Sequence, residues 1–330
     1  MAEITLFVAV GSVCLAIGIF RDKIGQAFSL MDLPDGIRKL HGRPTPVVGG
    51  LMFMACALAM TGTGYVSMTV VNQRFVVVAA LVISHGILGI TDDRYPVLPA
   101  ARLAYSLALT SAVLAVDRSM IVRDIYFSWG YSLRLGSMWE YALTVLFVVG
   151  CIYAVNMIDG LNGLLALYCL IVTGFFAVWL FRNFEGYFCA VVITLGIFMA
   201  FNMAGALFAG DGGSYLVGSG AAVVLLHLYD RSSHSHTFPI DLVAVPVLVP
   251  IADALRVSIS RLLRGKGVFV ADRNHLHHRL VDKLGYWPAL GCYSVTSAVP
   301  VVVAILIPQN AWFALSLGLA FYVGTVIAIR

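Results

Sequence analysis

The segment from Phe75 to Asp93 reads FVVVAALVISHGILGITDD. From Phe75 to Thr91 it carries no Asp, Glu, Lys or Arg, and it then meets two adjacent carboxylates. A helix needs about 20 mostly apolar residues to cross the hydrocarbon layer of a bilayer, and this run supplies nearly that. Asp92 and Asp93 therefore stand where the span leaves the lipid. Ionisable groups at that depth are costly and mark function by default.

The rest of the chain has the same character. Of its 330 residues, 60% are hydrophobic and 12% charged, with a mean hydropathy of +0.92. Soluble domains run at roughly 45–50% and about 25%. The imbalance excludes a disordered chain, a secreted disulfide scaffold and an ordinary cytosolic enzyme, because a water-soluble core cannot hide so much apolar sequence. Eleven stretches read as spans: 4–20, 47–71, 75–91, 100–116, 138–158, 161–180, 187–208, 214–229, 239–257, 288–307 and 311–329. The expectation is an all-α polytopic membrane protein of about 11 transmembrane helices. Residues 1–330 show no linker, low-complexity stretch or repeat, and read as one integral membrane domain. The six cysteines, Cys14, Cys56, Cys151, Cys169, Cys189 and Cys292, fall inside apolar runs without a C-x-x-C pair and are expected to be free, buried thiols.

Charge sets the expected orientation. The first apolar run lacks a basic region before it and is followed by Arg21 and Lys23, so it reads as a retained span with the N-terminus outside. Segments 21–46, 92–99, 156–162, 209–213 and 256–287 and the C-terminus are then cytoplasmic. On the other side lie Arg74, Arg118, Arg123, Arg134, Arg182 and Arg231; the remaining 15 of 21 Lys and Arg lie on the cytoplasmic face or at its edge. That asymmetry follows the positive-inside rule, as expected of a multi-pass protein of a bacterial inner (plasma) membrane in this orientation. Segment 117–137, the longest outside loop, is rich in β-prone and aromatic residues and reads as a small hairpin. No basic tract interleaved with aromatics points to nucleic acid.

Four acids on three connections, Asp92, Asp93, Asp159 and Asp211, meet the cytoplasmic side, and with two further segments they make five polar constellations. The adjacent pair Asp92 and Asp93 repel unless a cation or proton relieves them, which suits a magnesium-diphosphate site. In NMIDGLNG, Asn156, Asp159 and Asn162 sit among glycines that let backbone approach a ligand. In FNMAGALFAGDGGS, Asp211 opens a helix from a glycine-rich loop; backbone N–H groups there meet phosphate oxygens while Asp211 holds a metal, and Phe208 can stack on a flat base. In DRNHLHHRL, His275, His277 and His278 with Arg279 favour phosphate contacts, since their spacing suits one helical zinc face poorly. The first connection brings Arg38, Lys39, His41 and Arg43 to the bilayer surface, as a positive-inside anchor and as a grip on an anionic lipid head group.

In this order the segments R-K-x-H-x-x-P-x-P-x-x-G-G, D-D, N-x-x-D-G-x-x-G, G-D-x-G-S and H-x-H-H resemble the polyprenyl-phosphate N-acetylhexosamine-1-phosphate transferases, in their WecA/TagO-like branch and more distantly the muramoyl-pentapeptide transferases. The match runs from Asp32 to Arg279. The resemblance implies a Mg²⁺-dependent enzyme, with Mn²⁺ as an alternative ion. It would move a sugar-1-phosphate, GlcNAc-1-phosphate first among the candidates, from a UDP-N-acetylhexosamine to undecaprenyl phosphate, releasing UMP to start a lipid-linked envelope glycan. It implies Asp211 as metal ligand; Asp92, Asp93, Asp159, His277 and His278 as catalytic residues; and Asn202 and Phe208 as lining the uridine pocket. The remaining substrate contacts are then Arg38, Lys39, His41, Arg43, Asn156, Asn162, His275 and Arg279. One position departs from the family pattern: Asn162 stands where a second Asp is usual beside the uracil. H-L-H-H-R resembles the GlcNAc branch rather than the pentapeptide branch. QuiNAc, FucNAc and GalNAc-type donors remain alternatives, as does a homodimer. A transporter is disfavoured because the acids gather at one face instead of the midplane and no repeat appears. A CDP-alcohol phosphotransferase is disfavoured because only Asp159 and Gly160 echo its motif.

Overall fold

The structure, a computed structural model, describes residues 2–34, 43–67, 73–181, 184–231, 237–267 and 273–329. Arg38, Lys39 and His41 lie outside the described residues. Each expected apolar stretch contains helix among the described residues. The chain runs through α1 (Ala2–Ile19), α2 (Arg21–Phe28), α3 (Gly49–Ser67), α4 (Gln73–Arg94), α5 (Pro99–Val116), α6 (Ser137–Ile158), α7 (Leu164–Leu180), α8 (Glu185–Met203) and α9 (Gly210–Arg231). It continues through α10 (Ile240–Ala244), α11 (Leu248–Leu263), α12 (Leu276–Leu284), α13 (Tyr286–Leu306) and α14 (Ala311–Ala328). Among the described residues, eight spans are long and apolar enough to cross a membrane, or nine if α1 and α2, bent by 77° at their junction, count as one. Helices α3 and α7 are apolar over the shorter described stretches Gly49–Thr63 and Leu164–Leu180.

The ends differ from expectation in one consistent direction. Helix α4 carries Asp92 and Asp93 in its last turn, α6 carries Asn156, and α9 begins at Gly210, so Asp211 lies in a first turn and not in a loop. Backbone hydrogen bonds continue past the last apolar residue because the polar side chains beyond it find partners inside the protein. Arg256 and Arg261, expected in a connection, are helical in α11. Conversely, α8 stops at Met203, leaving a loop before α9. The span from Ile240 to Leu263 is interrupted by a 3₁₀ turn at Val245–Val247, where Pro246 lacks the N–H that a continuous helix would use.

Helix α9 is the most enclosed span and packs against α3, α4 and α6. Small residues make this possible, as is usual where helices meet in lipid. A Cβ on Gly89 of α4 would sit 2.3 Å from the Asp211 carbonyl oxygen, and one on Gly218 of α9 would sit 2.6 Å from Cα of Ile152. The hairpin expected in 117–137 forms from β1 (Asp124–Tyr126) and β2 (Ser132–Arg134), paired antiparallel with Ile125 opposite Leu133. The Tyr126 hydroxyl donates to the Phe238 carbonyl at 2.8 Å, and the buried Asp241 carboxylate accepts from the Ser128 N–H at 3.2 Å. A separate two-residue antiparallel ladder pairs Met31 and Asp32 with Pro46 and Thr45 across the first connection. All six cysteines are free; four are buried, whereas Cys189 is exposed on the outward face of α8 and Cys292 is half-buried, which corrects the expectation for those two.

Candidate active site

The acids converge at one end of the bundle. Asp93 accepts the N–H groups of Asp211 at 2.8 Å and Gly212 at 2.9 Å, so the last turn of α4 caps the first turn of α9. The cap satisfies N–H groups that a helix start leaves open, and its negative charge suits the positive end of the helix dipole. It also fixes Asp211. The Asp211 carboxylate accepts from the Asn156 amide at 2.7 Å and from the Arg102 guanidinium at 3.1 Å. Asn156 donates further to the Ser214 hydroxyl at 2.9 Å. Arg102, in the first turn of α5, also pairs with Asp92, whose other oxygen accepts the Val97 N–H at 2.7 Å. Four helices thus meet on one carboxylate cluster with a guanidinium between Asp92 and Asp211.

The NMIDGLNG turn forms the adjoining wall. Burial first, and then the charge of Asp93, pushes the Asp159 carboxyl up to about 7, against a hydrogen bond from the Gly210 N–H. Next to it, a Cβ on Gly160 would lie 2.4 Å from Nε2 of His277, so the histidine ring rests directly on this turn. His277 is buried, and neither ring nitrogen has a hydrogen-bond partner among the described residues. Burial, reinforced by His278 and His275, pulls its pKa down to about 3, so the imidazole is neutral near pH 7. His278 is half-buried against it, with ring centroids 4.1 Å apart.

Asn162 and Phe208 flank the same region from two connections. The Asn162 carbonyl accepts the Tyr286 hydroxyl at 2.8 Å, and its amide nitrogen lies 3.7 Å from the position a Cβ on Gly205 would take. Phe208 is held by its backbone, donating to Pro46 and accepting from Gly49, each at 2.9 Å. Arg43, the described member of the basic group in the first connection, is exposed.

Three residues expected as substrate contacts make hydrogen bonds within the protein. Asn202 is buried; its oxygen accepts the Gly163 N–H at 2.6 Å and its amide donates to the Leu207 carbonyl at 3.0 Å. It braces the two loops with one donor and one acceptor of its amide. His275 directs Nδ1 to Asp253 at 2.9 Å, away from the acid cluster. Arg279 donates to the Ile329 carbonyl at 3.1 Å, at the end of α14. Sequence reading also missed Arg102, Ser214 and Tyr215, whose hydroxyl is 3.4 Å from the Arg102 guanidinium. Arg102 did carry a signal, as a charged residue within an apolar span.

The donor set fits a hard divalent cation. Asp92 and Asp211 present carboxylate oxygens on either side of a position already held by positive charge. Magnesium takes one or two carboxylates and completes its shell with phosphate and water. Among the described residues no group of three or more His, Cys, Asp or Glu side chains is placed to hold a metal ion by itself.

Comparison with known proteins bears on the same segments. The family model described as Glycosyl transferase family 4 matches residues 75–229, from the start of the Asp92-bearing span through α9. The "Probable undecaprenyl-phosphate N-acetylglucosaminyl 1-phosphate transferase" of Bacillus subtilis (strain 168) is 31% identical over 270 residues, covering 78% of this chain and 72% of that protein. The decaprenyl-phosphate N-acetylglucosaminephosphotransferase of Mycobacterium leprae (strain TN) is 28% identical over 276 residues, covering 74% and 68%. The undecaprenyl-phosphate alpha-N-acetylglucosaminyl 1-phosphate transferase of Escherichia coli (strain K12) is 25% identical over 298 residues, covering 87% and 78%.

Proposed function

Because this chain belongs to glycosyl transferase family 4 and is a multi-span membrane phosphotransferase, we propose that it transfers GlcNAc-1-phosphate from UDP-GlcNAc to undecaprenyl phosphate, releasing UMP. The observation that carries this reading is the meeting of Asp92, Asp211, Arg102 and Asn156 beside the Asp159–Gly160 turn and the unpartnered His277. The names of the three relatives support the sugar and a polyprenyl phosphate acceptor, undecaprenyl phosphate in two of them and decaprenyl phosphate in the third. The whole of 1–330 serves as one membrane transferase unit with this end in the cytoplasm.

In the reaction, an oxygen of the lipid phosphate attacks the β-phosphorus of the donor. A new P–O–P link forms, the bond from the β-phosphorus to the bridging oxygen breaks, and UMP leaves with that oxygen. A phosphomonoester's second pKa is about 6, so the lipid phosphate is mostly dianionic near pH 7 and gains little from a general base. Direct attack also suits the carboxylates. Asp93 is occupied by two backbone N–H groups and Asp92 by Val97 and Arg102, so neither stands free as a nucleophile. Arg102 offsets the crowded negative charge and orients Asp92 and Asp211. Asn156 fixes the rotamer of Asp211. His277, neutral and wedged on the Asp159 turn, donates or accepts one hydrogen bond to a phosphate oxygen or its ester. Asn162 and Phe208 face the nucleoside. Asp211 and Asp92 are the residues that would hold a magnesium ion, which would supply positive charge to offset the negative charge developing on the departing phosphate.

The deciding experiment is turnover of the purified full chain with undecaprenyl phosphate and a panel of UDP-sugars, read as UMP release. UDP-GlcNAc should give the highest kcat/KM. Preference for a QuiNAc, FucNAc or GalNAc-type donor would move the sugar assignment and leave the reaction. Absence of UMP with every donor would overturn the reaction itself.

A further inference from the structure

Asp253 of α11 is a buried carboxylate with an unusual number of donors, and none of them belongs to the acid cluster. It accepts the His275 Nδ1–H at 2.9 Å, the Leu276 N–H at 3.1 Å, the Arg256 guanidinium at 2.7 Å and the Tyr322 hydroxyl of α14 at 3.1 Å. Arg256 in turn donates to the Asn274 carbonyl at 2.6 Å and is met by Tyr322 at 2.9 Å. The peptide groups on both sides of His275 are therefore fastened to one side-chain pair on α11. Helix α12, which starts at Leu276, has no side-chain cap from its own N-terminal residue. Asp253 supplies that cap from another helix.

The consequence falls on His277. It follows Leu276 directly, and its ring lies parallel to that of His275, with centroids 6.0 Å apart and planes within 12°. Its own nitrogens make no hydrogen bond among the described residues, so nothing on the ring itself holds it against Gly160. The backbone of Leu276 and the parallel face of His275 do that, and both are set by Asp253. A buried carboxylate with this many donors is worth its desolvation only if the groups it orders matter, since an apolar residue of similar size would be cheaper to bury.

We propose that Asp253 is a positioning residue of the transferase: through the Leu276 N–H and the His275 ring it holds His277 on the Asp159–Gly160 turn. The proposal rests on the reading of His277 as part of the substrate site. It makes α11 and α14, which lie outside the segment matched by the family model, part of the site's support.

The test uses the full chain in detergent and has two independent arms. The first is substrate-free: diethyl pyrocarbonate labelling of individual histidines, read by peptide mass. Buried His277 should react slowly in the wild type. In Asp253→Asn it should react at least about tenfold faster, with the melting temperature kept within a few degrees. The second arm is UMP release. Asp253→Asn should lower kcat by about tenfold or more while both KM values stay within about threefold, and Asp253→Glu should recover part of the loss. Should Asp253→Asn not survive purification, His275→Ala carries both arms with the same expected directions. Unchanged labelling of His277 in the folded variant overturns the proposal, as does a loss confined to KM. A wild-type protein that labels as expected but releases no UMP from any donor overturns the proposed reaction instead, and leaves the hold of Asp253 on His277 in place.

Discussion

Asp159 carries a carboxyl pushed up to about 7, by burial first and by the charge on Asp93 second. A carboxyl raised on folding stabilises the native state fully below its unfolded value near 4, and that contribution is lost as the pH rises through 7. Asn at this position cannot titrate. Melting temperatures of the wild type and Asp159→Asn, both without divalent cations, should therefore diverge between about pH 4 and pH 8, with the wild type falling behind at the upper end. Parallel curves would show an ordinary carboxylate. Asp211 makes a second test, because it is held from both sides by Asn156 and Arg102 and offers the hardest donor to a cation. Asp211→Asn preserves size and one acceptor, so melting should shift by no more than a few degrees while turnover drops at least about a hundredfold; near-normal turnover at ordinary magnesium would remove Asp211 from the site. These acids were legible in the sequence because carboxylates beside apolar runs are expensive. Their partners were not. Arg102 and Asp211 are 109 residues apart, so no local spacing reveals that they pair. Nor does the pattern H-x-H-H say which ring faces the acids: Asp253, 22 residues before His275, decides that.

Helix α4 meets α9 at Gly89, and this contact sets the geometry of the cap that Asp93 places on Asp211. A Cβ there would lie 2.3–2.5 Å from the Asp211 carbonyl and the Gly212 nitrogen, distances that only a shift of backbone can relieve. Gly89→Ala should push the start of α9 away, break the bonds of Asp93 to the Asp211 and Gly212 N–H groups, and reduce turnover by about tenfold or more without loss of helix by circular dichroism. Gly150 of α6 is the control, since a Cβ there meets nothing within 4 Å and alanine favours helix. Equal activity in the two variants would mean that the contact carries no catalytic consequence. At this scale the sequence located the long apolar helices, because such runs have few other solutions in lipid, but not the short α2 and α12, which lie in segments expected as connections. It misplaced their ends. The polar residues that close α4 and α6 and open α9 look like loop residues until their partners on neighbouring helices are known. The break at Val245–Val247 was hidden inside a continuous apolar run, although Pro246 marks it.

Across the whole molecule, α6 and α9, each of 22 residues, separate two unlike ends by roughly 33 Å at 1.5 Å per residue. At one end lie Asp92, Asp93, Asp159, Asp211 and the histidine helix. At the other, the hairpin of β1 and β2 is bound to Tyr229 near the end of α9, where the Tyr229 hydroxyl accepts the Tyr126 N–H at 3.2 Å. A prenyl phosphate and a nucleotide sugar can meet only at an end that the nucleotide reaches, and the excess of Lys and Arg at the acid end is the arrangement expected of a cytoplasmic face. Single cysteines replacing Arg94, Lys283, Ser132 and Arg134 test this, because all four positions are exposed. The native Cys189 and Cys292 should first be changed to serine. In intact cells an impermeant maleimide should label the cysteines at 132 and 134 and spare those at 94 and 283, which should react once the membrane is permeabilised. Labelling at 94 and 283 from outside, with 132 and 134 protected, would invert the protein in its membrane and put the carboxylate cluster on the side where no UDP-sugar is made.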